Sequence, residues 1–151
     1  MTLNDIYFRL QLLDCIPTKG LPGAALAEIM LLRAKHTRPL NDYHKLMEEA
    51  ESKLRDEEKY APLKEEEADN ADLKKELEEA VMKMRMDAAT EDRYQPLGAL
   101  SEQTYAAICD AAMSLGTVKG IPDVEGNRPD IPAEFFLAQL AEIIESDRVK
   151  K

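Results

Sequence analysis

Apolar side chains recur at alternating steps of four and three residues over residues 29–54, the spacing of one face of an α-helix. Arg33 and His36 interrupt the apolar pattern in the first two turns. An imperfect stripe of this kind predicts packing against other helices of the same chain rather than a long coiled coil. The stripe consists of Ile29, Arg33, His36, Leu40, Tyr43, Met47, Ala50 and Leu54.

Pro39 lies inside this stretch, and proline both removes a backbone donor and disturbs the preceding turn. The apolar phase nevertheless passes through Pro39 without a shift, which favours one kinked helix. Two nearly collinear helices, with Thr37 capping the second, are the alternative. The helical pattern spans residues 24–60 and ends before Pro62, so the segment would be roughly 50 Å long at 1.5 Å per residue.

The same periodicity predicts a helix on each side of this long one. The first follows Thr2 as its N-cap, with Asp5 in the first turn, and ends near residue 13 before the turn DCIPTKGLPG. The third helix follows residue 70. Its buried side is predicted to be Leu73, Leu77, Ala80, Val81 and Met84.

Two further helices are predicted in the last third of the chain. Helix four begins at Ser101 and ends at Gly116, where a glycine cap belongs. Helix five begins near residues 130–132 and carries the most hydrophobic set in the chain: Phe135, Phe136, Leu140, Ile143 and Ile144.

Residues 82–88 show a second period, because Met82, Met84, Met86 and Ala88 alternate with polar residues as in a strand. The same residues also favour a helix by propensity. A small β-hairpin over residues 82–100 is therefore an alternative. The predicted fold class is all-α, an antiparallel helical bundle built on a long kinked helix, with this one small hairpin left open.

The length of 151 residues predicts a single helical domain over residues 1–151. Low aromatic content, the absence of Trp and seven Met residues favour helix-on-helix packing. Residues 61–72 are predicted to form an acidic linker, and residues 117–132 a Pro/Gly-rich loop. Both segments have little apolar surface to bury, so both are candidate contact surfaces.

Charge is unevenly distributed in a chain whose net charge is −10. Residues 48–79 carry fourteen acidic and six basic side chains, whereas residues 1–47 carry four acidic and six basic ones. A phosphate backbone would be repelled by the acidic run, so we expect no direct nucleic-acid partner. Such a run is typical of a solvated helix face, and less often of a docking surface for a basic partner.

Cys15 and Cys109 lie far apart without a CxxC context, which predicts reduced thiols in a cytosolic compartment. The N-terminal residues MTLNDIYFRL lack a basic n-region, and no apolar run approaches the roughly 20 residues of a membrane span. We therefore expect a cytoplasmic protein with no membrane partner.

Carboxylate pairs at helical spacing could hold a metal ion between facing helices. Because the apolar stripe faces the core, the pair Glu48 and Glu51 lies on a side of the helix that faces away from it. No helix carries Glu-x-x-His. His36 and His44 are about 12 Å apart along one helix, too far to share a metal. We therefore predict no metal, cofactor or catalytic residue. The pairs are Glu48 with Glu51, Glu76 with Glu79, and Glu142 with Glu145.

A pattern of segments runs through residues 1–112: NDIYFRLQLLD, GLPGAALAEIMLL, MEEAESKLRDEEKY, an acidic linker, LKKELEEAV, MKMRMD and PLGALSEQTYAAICDAA. This arrangement resembles a family of short, helical, phage-encoded proteins of uncharacterised function that are often found among structural or late genes. The resemblance implies a phage or prophage origin and a non-enzymatic role. It carries over no site residues.

We therefore predict a non-enzymatic interaction or assembly protein, a phage accessory or virion-associated component in the host cytoplasm or the virion. Its partners would be phage structural proteins, and a homo-oligomer is left open. One alternative is an acidic phage inhibitor that mimics nucleic acid against a host or defence protein. Another is a small helical metal-dependent hydrolase. The candidate partner-contact residues are Glu65, Glu66, Glu67, Asp69, Asp123, Glu125 and Arg128.

Overall fold

The computed structural model describes residues 1–64, 70–98 and 100–149, with side chains described throughout these ranges except at residues 64 and 143–149. The described chain is mostly α-helical with one small antiparallel sheet, which confirms the predicted fold class. Its elements are α1 (Leu3–Asp14), α2 (Gly23–Arg55), a 3₁₀ helix (Glu58–Lys64), α3 (Ala71–Thr90), α4 (Glu102–Leu115), β1 (Thr117–Lys119), β2 (Asp130–Pro132) and α5 (Ala133–Val149).

α1 begins with the predicted cap. The Thr2 hydroxyl accepts a hydrogen bond from the Asp5 backbone N–H at 3.1 Å, and the Asp5 carboxylate accepts one from the Thr2 N–H at 2.8 Å. These two bonds satisfy donors that the start of a helix leaves free. The helix then packs on α2 through one apolar face, formed by Leu3, Ile6, Leu12 and Leu13.

α2 runs as one α-helix through Pro39, so the prediction of a single helix is confirmed and the alternative of two collinear helices is wrong. Just before the proline, the Thr37 hydroxyl donates to the Arg33 carbonyl at 2.9 Å. Its 33 residues extend over about 50 Å. α2 is therefore the longest element of the described chain.

The predicted stripe on α2 is buried unevenly. In its first half Ile29 and His36 are fully buried, whereas Arg33 stays exposed and forms an ion pair with Asp14 of α1 at 2.5 Å. The apolar stripe positions over residues 40–54 are only half-buried. The first half lies against the main core, while the second half packs on two smaller clusters, which explains the difference.

Three apolar clusters follow one another along α2. The main core contains sixteen buried residues, among them Ile108 of α4 and Phe136 of α5, and it lies against the first half of α2. A second cluster forms around Ile6. A third forms around Tyr60 and Leu77, where the 3₁₀ helix meets α3.

The α-helical part of α2 ends at Arg55, five residues before the predicted end. In an uninterrupted helix, Tyr60 would lie about 240° around the axis from Leu54, on the side away from the third cluster. The 3₁₀ helix instead brings the Tyr60 ring into that cluster, where it is 1% exposed. The change of helix type coincides with burial of this ring and with Pro62, which cannot donate a backbone hydrogen bond in a continued α-helix.

The alternative of a β-hairpin over residues 82–100 is wrong for the described part of that segment. α3 continues to Thr90, and residues 91–98 have no regular structure. Met and Ala have high helix propensity, and the half-buried Met84 and Ala88 lie on one helical face. The strand-like alternation was therefore misleading, because only Met84 and Ala88 of its four apolar members lie on the side of α3 that is partly buried, while Met82 and Met86 are exposed.

A hairpin forms instead within residues 117–132, which the sequence predicted to be only a loop. β1 and β2 pair antiparallel, with Val118 opposite Ile131. Gly116 ends α4 at φ +79°, a conformation that favours glycine. Its carbonyl accepts the Ala133 N–H at 3.1 Å, so the hairpin connects α4 directly to α5.

The half-buried stripe on α2 can be tested at Leu40, which packs against the cluster around Ile6. We expect Leu40→Asp to lower the free energy of unfolding by roughly 2 kcal/mol, because it places an unpaired carboxylate in that cluster. Urea unfolding followed by circular dichroism measures the change. Asn41→Asp adds the same charge at an exposed neighbouring position and should change it by less than about 0.5 kcal/mol. Equal losses would contradict the packing of this face.

Candidate interaction surfaces

The residues that the sequence singled out for partner contact fall into two groups. Outside the described residues lie Glu65, Glu66, Glu67 and Asp69. The loop between β1 and β2, residues 120–129, contains the other three: Asp123, Glu125 and Arg128. The structure therefore places these three together on one exposed hairpin loop.

Two of the three loop residues hold the loop in shape. The Asp123 carboxylate accepts hydrogen bonds from the backbone N–H groups of Glu125 and Asn127, both at 2.9 Å. The Arg128 guanidinium donates to the backbone carbonyl of Gly120 at 2.9 Å. Glu125 and the fully exposed Val124 remain at the tip. The loop therefore presents one apolar side chain and one carboxylate from an ordered turn.

A larger apolar surface lies on the solvent side of α2, opposite the buried Ile29 and His36. Met30 is 67% exposed and Leu31 is 59% exposed. The other exposed members are alanines, and most members follow one another at steps of three and four residues, so they form a stripe along the helix. We refer to these residues as the α2 outer face: Ala24, Ala27, Met30, Leu31 and Ala34.

The α2 outer face carries no charge. Within residues 21–32 the only charged side chain is Glu28, and its carboxylate contacts α4. It accepts hydrogen bonds from the Ser101 backbone N–H, from the Ser101 hydroxyl at 3.0 Å and from the Thr104 hydroxyl at 2.5 Å. Burial raises the pKa of Glu28, whereas the three hydrogen bonds lower it. Their combined effect is larger than that of burial, so the pKa of Glu28 is below its ordinary value.

An open groove of about 610 Å³ adjoins the first turn of α2. One wall is the turn that contains Lys19 and Pro22, and Pro22 is also the N-cap residue of α2. The opposite wall is α4, where small residues such as Ala107 and Ala111 leave the space open. Lys19 and Asp110 also line the groove, so it is mixed in polarity, unlike the α2 outer face.

The three carboxylate pairs that could have held a metal differ: Glu51 of the first is bound by arginines, Glu76 and Glu79 are exposed on α3, and the third pair is only partly described. Glu51 bonds to Arg55 at 2.7 Å and to Arg85 of α3, and these hydrogen bonds lower the pKa of Glu51. The side chain of Glu145 lies outside the described ones. In the described part of the chain, no group of three or more His, Cys, Asp or Glu side chains is arranged to hold a metal ion.

The histidines and cysteines are dispersed. His36 is 1% exposed and its Nδ1 lies 2.8 Å from the Leu32 carbonyl oxygen, which is a contact within α2. Cys15 is buried and donates to the Gln11 carbonyl at 3.2 Å, and Cys109 is also a free thiol.

None of the helices in the described ranges combines the length and the apolar character that a membrane span requires.

Comparison with known proteins does not add a site. Searches against protein families, curated proteins and solved structures found no match. The surfaces described above therefore come from the residues of this chain alone.

Sequence reasoning missed the α2 outer face, although a signal for it was present. Ala24, Ala27, Leu31 and Ala34 follow the same alternation of three and four residues as the buried stripe, half a turn away. Three of the four are alanines, which are compatible with either side of a helix. Only the structure shows that this second stripe faces solvent.

The contact of Glu28 with α4 leads to a pH-dependent prediction. We expect Glu28→Gln to lower the free energy of unfolding by roughly 1 kcal/mol at pH 7, allowing for partial solvent screening. The folded-state pKa of Glu28 is below the ordinary value of 4.5, so the ionised carboxylate stabilises the fold at every pH above 4.5. This contribution disappears as the pH falls through the folded-state pKa.

Thermal or urea unfolding between pH 7 and pH 3 tests this prediction. The difference between the wild type and Glu28→Gln should be largest at pH 7 and should shrink below pH 4.5. Glu48→Gln removes the same charge from an exposed position of α2 and serves as the matched control. A difference for Glu28→Gln that does not vary with pH would contradict the role assigned to the ionised carboxylate.

Proposed function

We propose that this chain is a non-enzymatic interaction and assembly protein that binds a partner protein through the α2 outer face. The observation that supports this proposal is the exposure of Met30 and Leu31 in an uncharged stripe that continues over three helical turns. The solvent side of a surface helix is ordinarily polar or charged. A contiguous apolar patch on a protein surface often marks an interaction site.

Burial of this surface would supply part of the free energy of binding. Full burial of a leucine or methionine side chain contributes roughly 1.5–3 kcal/mol. Met30 and Leu31 are about two thirds exposed, so their burial together contributes a factor of about 10² to an association constant, before the cost of association is counted. The three alanines add less area but allow a partner to approach the α2 backbone closely.

A phage accessory or virion-associated role is the more specific part of the proposal. It is supported by the resemblance of residues 1–112 to short phage-encoded helical proteins. On this proposal the protein acts in the host cytoplasm or in the virion, and its partner is a phage structural protein. The hairpin loop, with Val124 and Glu125 at its tip, offers a second contact.

Affinity purification of tagged protein from the source cells, with and without infection, tests this function. We expect the wild type to bring down one phage structural protein in a stoichiometric complex that persists at high salt. Leu31→Glu should abolish that complex, because it places a charge in the centre of the apolar stripe. Its melting temperature should equal that of the wild type, because Leu31 is exposed.

Met82→Glu provides the matched control, because Met82 of α3 is 65% exposed and lies outside the α2 outer face. This variant should keep the partner. A complex that survives in Leu31→Glu would contradict the assignment of the surface. A basic host protein that is bound by both variants and lost at high salt would instead favour an acidic inhibitor that mimics nucleic acid.

A further inference from the structure

We infer that the partner segment seated on the α2 outer face is an acidic amphipathic helix of another protein. The inference rests on the function proposed above and adds the chemistry of the partner. It follows from the basic charges at the C-terminal end of the apolar stripe, from the helical period of the stripe itself, and from the lack of charge complementarity with a second copy of this chain.

Basic side chains border the C-terminal end of the α2 outer face. Lys35 and Arg38 are exposed, and Arg38 continues the stripe four residues after Ala34. Lys45 lies two turns further along the same side of the helix. Asp42 is the only acidic residue between residues 33 and 47. A partner that extends in this direction meets an excess of positive charge.

The N-terminal end of the α2 outer face has no such excess of positive charge. The first turn of α2 contains no acidic residue, which leaves the helix N-terminus with a partial positive charge. The adjoining groove carries one full charge of each sign, because both Lys19 and Asp110 line it. Acidic side chains of a partner are therefore favoured at the C-terminal end of the stripe.

The shape of the stripe favours a helix as the partner element. Ala24 and Ala34 are ten residues apart, so the apolar stripe is about 15 Å long. Its alternating steps of three and four residues match the pattern that one helix presents to another. The three alanines permit close approach, and Leu31 projects between them as the largest central contact. An extended strand would not match this period.

A second copy of this chain gains little from charge at this surface. A parallel pair of α2 outer faces would bring the two copies of Arg38 together, which disfavours association. An antiparallel pair about residue 29 would bring Arg38 near the groove of the other copy, where Lys19 and Asp110 carry opposite charges. An acidic helix instead meets attraction at Lys35 and Arg38.

A photo-crosslinking phenylalanine derivative in place of Leu31, introduced into the full chain and activated in the source cells, tests this inference. Mass spectrometry then identifies the attached segment. We expect a segment of another protein with apolar residues at steps of three and four and an excess of Asp and Glu over Lys and Arg. A segment of this same chain, a basic segment or one without helical period would overturn the inference.

A synthetic peptide with the sequence of the captured segment then tests the charges directly, by fluorescence anisotropy. We expect the double variant Lys35→Glu/Arg38→Glu to bind the peptide about fivefold more weakly or worse. Lys75→Glu/Lys83→Glu makes the same change of net charge on exposed positions of α3 and should bind like the wild type. Equal affinity for the two double variants would show that the basic border plays no part.

These outcomes separate this inference from the proposed function. A complex that depends on Leu31 but attaches through a non-acidic segment leaves the function in place and removes the inference. A Leu31-dependent complex that gives no crosslink at position 31 likewise removes the inference and leaves the function in place. If no Leu31-dependent complex forms at all, both proposals fail.

Discussion

The length of α2 relative to the rest of the chain is the constraint on which this structure depends. A helix of about 50 Å offers more surface than the other helices can cover, so they must divide it between them. Glu28 joins α2 to the start of α4, and Glu51 joins it to Arg85 of α3. The remaining apolar surface of the first turns has no partner within the described chain, and it becomes the α2 outer face.

Local chemistry allowed most element boundaries to be predicted. Thr2 and Ser101 cap their helices through side-chain oxygens, and Gly116 ends α4 in a conformation that favours glycine. These signals depend on a few neighbouring residues and do not require knowledge of the tertiary structure. The continuity of α2 through Pro39 was also predictable, because the apolar phase on both sides is the same.

The errors came from features that depend on distant contacts. The alternation of apolar and polar residues over 82–88 suggested a strand, but these residues are helical. As part of α3 they pack on α2, and the Tyr43 hydroxyl donates to the Arg85 carbonyl at 3.1 Å. The early end of α2 accompanies the burial of Tyr60 against Leu77 and Val81 of α3, which is a distant contact. To predict the α2 outer face, one must know which of the two apolar stripes on α2 is buried in the core. Alanine is found both inside and outside, so it does not show which stripe that is.

The two candidate surfaces differ in how their residues are used. In the hairpin loop, Asp123 and Arg128 form hydrogen bonds to the backbone, so their side chains already stabilise the turn. The side chains of the α2 outer face make no such bonds, because they are apolar. Acidic charge is concentrated elsewhere in the chain, and the first 47 residues carry a small excess of basic side chains. The apolar stripe therefore lies in the least acidic part of the protein.

The division of the core into three clusters has a consequence for motion. The cluster around Tyr60 contains three buried residues, whereas the main core contains sixteen, so the far end of α2 is held by much less apolar contact. Regions with few buried contacts open locally at lower free energy than the rest of a fold. Backbone amides near Tyr60 should therefore exchange with solvent in a separate, less stable unit. The first half of α2 can stay folded while that unit opens, so its solvent-facing side remains rigid.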